Sequence, residues 1–160
     1  MARVLIVGCG CRGRALAAGL AERGLAVRGT TRDAARTPEI AAAGAEAAVA
    51  DPDRLGTLLP HLEGITVVCW LMGSAGGEVA ALHEDRLQSL LERLVDTPVR
   101  GFLYEAGGSV ERRLLDAGGV VARAAEATFR LPVAVVEEDP ADHDRWLRAM
   151  MEAVERLLVP

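Results

Sequence analysis

Arg3-Val4-Leu5-Ile6-Val7-Gly8-Cys9-Gly10-Cys11-Arg12-Gly13-Arg14-Ala15-Leu16 is the stretch that decides the fold. It opens as an apolar run with β-branched residues, passes through three glycines spaced G-x-G-x-x-G, and continues as an Ala/Leu-rich helical pattern through Arg23. The reading is strand, tight turn, helix. Gly8 permits the sharp turn, Gly10 lets a pyrophosphate come close to bare backbone, and Gly13 lets the helix pack tightly on the strand. Unpaired N–H groups at the helix N-terminus and the positive end of its dipole then face the phosphates. Glycine-rich turns are common, but this one follows a buried-type strand directly, which is the context that dinucleotide binding requires. The competing reading is a fold that has kept the turn and lost its ligand. Cys11 and Arg12, in the first helical turn, join Gly8, Gly10 and Gly13 as candidate cofactor contacts.

Gly24 closes the first helix, and Leu25-Ala26-Val27-Arg28-Gly29-Thr30 reads as the second strand. An Asp or Glu about 20 residues past the glycines would bond the adenosine ribose 2′-hydroxyl of NAD. Counted from Gly13, that place falls on Thr31, followed by Arg32. A hydroxyl and a guanidinium in place of a carboxylate remove repulsion against a 2′-phosphate and add a bidentate partner for it, so NADP is expected ahead of NAD. Asp33 is placed to cap the next helix. Arg28 and Arg36 read as solvated, with Arg36 within reach of the same phosphate.

Further along, a short helix over 34–43 leads through Gly44 to a third strand at 46–50, and Asp51-Pro52-Asp53 starts a helix that ends near Leu62. Ile65-Thr66-Val67-Val68-Cys69-Trp70-Leu71 is the most continuous apolar run and is expected to be a central strand buried on both faces. The glycine-rich loop Gly73-Ser74-Ala75-Gly76-Gly77 follows at its carboxyl end. Ligands of open parallel sheets lie over that edge, so Gly73 and Ser74 are candidate cofactor contacts, with a flexible connector as the competing reading. His83 falls inside a helix running from about 78 to 95, among charged neighbours, and reads as exposed.

A fifth strand spans 99–105, Ser109 is placed to cap a helix starting at Val110, and Gly118-Gly119 is expected to break that helix. A sixth strand covers 131–137, and Asp139-Pro140 opens a terminal helix with Leu147, Met150, Met151, Val154, Leu157 and Leu158 on one face. That face suits either packing on the chain's own sheet or the seam of a homodimer. Strands alternate with helices throughout. The fold class is therefore α/β, a single-domain three-layer Rossmann fold over 1–160, with a six-stranded parallel sheet in the order 3-2-1-4-5-6.

Bulk properties agree. The 160 residues allow one well-buried core, and 51% hydrophobic content with 3% aromatic residues suits a Val/Ile/Leu sheet covered by Ala/Leu helices. A net charge of −5 without a basic tract argues against nucleic acid as a partner. No apolar run approaches the roughly 18 residues of a membrane span, and no leader precedes the first strand, so a cytoplasmic protein with no membrane partner is expected. Cys9, Cys11 and Cys69 form no disulfide framework; a metal or redox role for Cys9 and Cys11 lacks further ligands nearby in sequence, and no metal is expected. All 18 basic residues are arginine. Schiff-base chemistry is thereby excluded, as is any mechanism in which a lysine lowers a tyrosine's pKa.

The glycine turn at 8–13, Val27-Arg28-Gly29-Thr30-Thr31-Arg32-Asp33 and Phe102-Leu103-Tyr104 resemble the cofactor-binding core of extended short-chain dehydrogenase/reductases, the epimerase/dehydratase-like and NmrA-like proteins. The resemblance implies NADP(H) binding and, in active members, hydride transfer assisted by a Ser and a Tyr-x-x-x-Lys. This chain departs from that pattern. It has no lysine, its single tyrosine, Tyr104, is expected on a strand, Ala106-Gly107 stand where family members carry serines, and no substrate-binding extension is expected beyond the sixth strand.

Two functions follow. One is a sensor or binding module that reads NADP(H) and signals to a partner. The other is a small NADPH-dependent oxidoreductase in which Tyr104, Glu105 or Ser74 polarises the substrate, Glu105 being the better acid/base candidate against a competing reading as a solvated loop carboxylate. The nucleotide-sensing domain of potassium-transport regulators shares the size and the glycine turn, but Thr31 stands where those domains carry an acid.

Overall fold

A computed structural model describes residues 2–160. Its six strands form one parallel sheet in the order β3-β2-β1-β4-β5-β6, as expected. The strands are β1 (Arg3–Val7), β2 (Ala26–Thr31), β3 (Glu46–Val49), β4 (Val67–Trp70), β5 (Gly101–Glu105) and β6 (Val133–Val136). The helices among the described residues are α1 (Cys11–Glu22), α2 (Thr37–Ala42), α3 (Leu55–Leu58), α4 (Ala80–His83), α5 (Asp85–Leu94), α6 (Arg112–Phe129) and α7 (His143–Leu158).

Alternation along each strand builds the two outer layers. On β5, Leu103 faces α1 and α7, within a core that includes Leu16, Leu20, Ile40, Trp146 and Met150. Phe102 and Tyr104 face the opposite core, with Leu58, Leu87, Leu90, Ala122 and Ala125. The apolar side of α7 is packed on the sheet of its own chain: Trp146, Met150 and Val154 are fully buried.

Several local expectations are corrected. Asp51 and Asp139 do not cap helices; each carboxylate accepts an N–H two residues on, from Asp53 at 3.0 Å and Ala141 at 2.9 Å, and α3 and α7 begin later. These are turns built on the aspartate side chain, which share their sequence signature with a cap. Ser109 likewise caps nothing, because α6 starts at Arg112. The helix foreseen from 78 to 95 is broken at Glu84 into α4 and α5, and the one at 34–43 begins as a 3₁₀ turn over Ala34–Arg36, capped by Asp33 as expected.

Gly118-Gly119 do not interrupt α6, which runs unbroken for 18 residues. A Cβ at Gly118 would collide with the phenol of Tyr104, so the glycine marks a close approach to β5 and not a helix end. Arg28 is buried, contrary to expectation. Its guanidinium donates to the carbonyls of His61 (2.7 Å) and Glu63 (3.1 Å) and to Glu46 (3.2 Å), tying the β2 side of the sheet to the segment before β4.

Candidate functional site

The glycine turn sits on the carboxyl edge of β1, pinned to β2 by two hydrogen bonds: Gly8 N–H donates to Thr30 Oγ1 (3.3 Å) and Cys9 N–H to the Thr30 carbonyl (2.8 Å). Gly8 has a φ of +85°, and a Cβ there would overlap Met72 and the Leu71 carbonyl. A Cβ at Gly13 would lie 2.9 Å from the Gly8 carbonyl, so α1 packs against its own strand only because the residue is glycine. Gly10 is different: a Cβ there would meet nothing within 4 Å. It is the N-cap of α1, and no side chain caps that helix. First-turn N–H groups therefore open onto free space above bare backbone, which is the geometry an anion needs.

That space is a cleft of about 830 Å³ along the carboxyl edge of the sheet. Its volume lies within the roughly 300–1,000 Å³ of small-molecule sites. Of the residues singled out from sequence, Gly8, Gly10, Cys11, Arg12, Gly13, Thr31, Arg32, Ser74 and Glu105 all line it, together with Arg36. Gly73 is not on its wall, though its backbone N–H holds Glu105 there, and Tyr104 does not reach it. The cleft also draws on Met72, Asp51, Pro140 and His143. Their positions just past the carboxyl ends of β4, β3 and β6 were the available signal.

Thr31, Arg32 and Arg36 gather at the β2 end. Arg32 is exposed, and the Thr31 hydroxyl is engaged with Asp33 by a 3.1 Å bond from the Asp33 N–H. At the β4–β5 end, Ser74 Oγ accepts from Arg12 Nη1 (3.3 Å) and from the Ser109 N–H (3.3 Å), which joins α1 to the two glycine loops.

Glu105 is buried, contrary to its reading as a solvated loop carboxylate. Oε1 accepts from the Gly73 N–H and Oε2 from the Trp146 indole N–H, each at 2.9 Å, so one side chain joins β5, the loop after β4, and α7. Burial raises its pKa above the ordinary carboxylate value; the two hydrogen bonds and the charge of Arg12 pull the other way.

His83, expected to be exposed, is fully buried on the other side of the sheet, with Nδ1 2.6 Å from the Tyr104 hydroxyl. Desolvation lowers the histidine pKa, and the nearby Met72 carbonyl opposes this without completing a hydrogen bond, since Nε2 has no partner. Burial moves the Tyr104 phenol far above its usual range. Cys9 is buried against Gly29, its thiol pushed up to about 11 by desolvation, while Cys11 is exposed. All three cysteines are free, and among the described residues no cluster of His, Cys, Asp or Glu has a metal-binding arrangement. No helix among them is long and apolar enough to cross a membrane.

No protein-family model matches the chain, and no curated protein matches it. Solved structures do. A putative NAD-dependent epimerase/dehydratase from Bacillus halodurans superposes with a TM-score of 0.71 at 18% identity, covering 88% of this chain and 71% of that one. UDP-glucuronic acid 4-epimerase from Bacillus cereus, solved with NAD, gives 0.66 at 17% identity over 84% of this chain and 55% of the other. Triphenylmethane reductase from Citrobacter sp., complexed with NADP(H), gives 0.66 at 14% over 85% and 49%. The chain shares the Rossmann fold of these proteins. The chain spans about half the length of the epimerase and the reductase.

Proposed function

We propose that this chain binds NADP(H) along the carboxyl edge of its sheet and works as a dinucleotide-binding or sensor module. The observation that carries the reading is the open backbone at Gly10, at the uncapped N-terminus of α1, within a cleft whose β2 end holds Thr31, Arg32 and Arg36. The diphosphate would lie against the α1 N-terminus beside Arg12. The adenosine half would extend over β2, where the guanidinium of Arg32 recognises a 2′-phosphate. The structural neighbours, two of them solved with NAD or NADP(H), support the choice of ligand class.

Sensing is favoured over catalysis because the groups available for proton transfer are engaged elsewhere. The Tyr104 hydroxyl is sealed against His83, and both oxygens of Glu105 hold structural donors. Glu105 nevertheless lines the cleft, which keeps a small NADPH-dependent oxidoreductase as the second reading. When bound, the cofactor supplies hydride-transfer chemistry.

Calorimetric titration tests the first reading. NADPH is expected to bind more tightly than NADH, and Arg32→Ala to weaken NADPH by about tenfold or more while leaving NADH unchanged, as befits loss of a charge-assisted contact. Absence of binding at millimolar nucleotide overturns the reading; equal affinities that Arg32→Ala leaves unmoved overturn the NADP preference. NADPH oxidation against quinones, flavins and carbonyl compounds, abolished by Glu105→Gln, would establish the second reading instead.

A further inference from the structure

A carboxylate that is 4% exposed, hydrogen-bonded to two neutral N–H groups and joined to no ion pair among the described residues is an uncompensated negative charge. Glu105 is such a group, and it faces the cleft at the carboxyl end of β5. Arg12, the cation whose charge acts on it, is directed to Ser74 at the neighbouring glycine loop. The two halves of a dinucleotide occupy opposite sides of the point where strand order reverses, here between β1 and β4. With the adenosine over β2, the nicotinamide falls over β4 and β5. The oxidised nicotinamide ring is a cation and the reduced ring is neutral, so the redox states differ in charge at the end of the cleft where Glu105 lies.

Resting on the dinucleotide reading above, we propose that Glu105 makes this site selective for the oxidised cofactor: its buried carboxylate stabilises the cationic nicotinamide ring and gives the reduced form no equivalent. The chain would then report the oxidised fraction of the NADP pool, and Glu105 is the residue that distinguishes the two forms. Burial raises the pKa of this carboxyl, while the two N–H donors, one on each oxygen, and the charge of Arg12 oppose that and favour the ionised form, which is why the comparison is made near pH 8. Arg12 of α1 is the cation that acts on it; Arg112 of α6 bonds the carbonyl of the next residue, Ala106, and His143 of α7 stacks on Trp146, the donor to Oε2. These neighbours are common to both redox states.

The experiment measures dissociation constants of NADP⁺ and NADPH, together with 2′-phospho-ADP-ribose, which lacks the nicotinamide, at one pH near 8. The wild-type protein is expected to favour NADP⁺ over NADPH by about tenfold, a modest Coulombic discrimination for a partly desolvated pair. Glu105→Gln should bring that ratio toward one, and Glu105→Asp should retain a preference for NADP⁺. Equal affinities of the wild-type protein for the two forms, or tighter binding of NADPH, overturn the inference whether or not the variants fold. So does a ratio that survives Glu105→Gln. If 2′-phospho-ADP-ribose and both dinucleotides fail to bind, the dinucleotide reading itself falls; if all three bind alike, only the inference does.

Discussion

The Tyr104 hydroxyl lies 2.6 Å from Nδ1 of His83, and both side chains are wholly excluded from solvent. A buried ring that desolvation keeps neutral accepts at one nitrogen and donates from the other. The phenol, held protonated by burial, donates to Nδ1, which places the ring proton on Nε2, toward the Met72 carbonyl. The pair fastens the short helix α4 to β5 beneath the floor of the cleft.

Removing either partner leaves a buried polar atom unpaired. Tyr104→Phe is expected to destabilise the fold by about 1–3 kcal/mol, seen as a lower urea midpoint with an unchanged slope. The histidine also imposes a pH dependence. Below its ordinary value of 6.5 the unfolded chain takes up a proton that the folded ring resists, so this stability is full above about pH 6.5 and is lost as pH falls, by up to about 1.4 kcal/mol per pH unit. Glu105 acts with the opposite sign. Its raised pKa lets the folded state bind a proton first, adding stability as pH falls through that value. The His83 contribution is therefore read as the difference between wild type and His83→Gln between pH 7.5 and 5.5; equal slopes in the two proteins would refute it.

The two adjacent glycines of α6 should respond to alanine in opposite directions. At Gly119 the nearest atoms to a new Cβ are 3.8 Å away, ordinary contact, so Gly119→Ala gains helix propensity of about 0.5–1 kcal/mol. At Gly118 the methyl enters the space of the Tyr104 ring, and the same substitution should cost about 1–3 kcal/mol through overpacking. Thermal denaturation of both variants measures the difference. A stabilised Gly118→Ala would mean that Tyr104 is free to move.

The sheet order was legible because it follows from local pattern: six apolar runs alternating with helical segments, fed into a right-handed crossover rule. The cleft was legible for a related reason, since much of its lining, including the glycine turn at 8–13, Thr31, Arg32, Ser74 and Glu105, lies at or just past the carboxyl ends of strands. What stayed hidden depends on contacts distant in sequence. Trp146 reaches Glu105 across 41 positions, His83 meets Tyr104 across 21, and Arg28 finds the His61 carbonyl across 33. No periodicity carries such pairings, so on sequence His83 reads as exposed, Arg28 as solvated, and Glu105 stands between an acid/base role and a solvated loop carboxylate. Gly118-Gly119 failed differently. In sequence a helix break and a close approach look alike, and only the phenol pressing on Gly118 distinguishes them.

The glycines of the turn should separate binding from stability. Gly10→Ala places a methyl in open space at an ordinary backbone conformation (φ −80°), so the melting temperature should hold while dinucleotide affinity falls by about tenfold or more, the methyl occupying the path of the diphosphate. Gly13→Ala drives its methyl against the Gly8 carbonyl at 2.9 Å and should lower the melting temperature itself. Unfolding scans with and without NADPH test both. A Gly10→Ala variant that binds like wild type would remove the diphosphate from the α1 N-terminus.

Thiol chemistry locates the ligand without mutation. Cys11, exposed at the start of α1, lines the cleft next to the open backbone of Gly10, while Cys9 and Cys69 are buried, and desolvation raises both of their thiol pKa values. The thiolate is the reactive form, so a native-state alkylating reagent should modify one thiol per chain, at Cys11, and all three only after unfolding. NADP⁺ or NADPH bound across the turn covers that side chain and should slow its modification by about the ratio of free ligand to dissociation constant. Mass-spectrometric mapping of the labelled residue against nucleotide concentration gives that constant independently of calorimetry. Modification at an undiminished rate under saturating nucleotide would place the ligand away from α1, against the geometry of Gly8, Gly10 and Gly13.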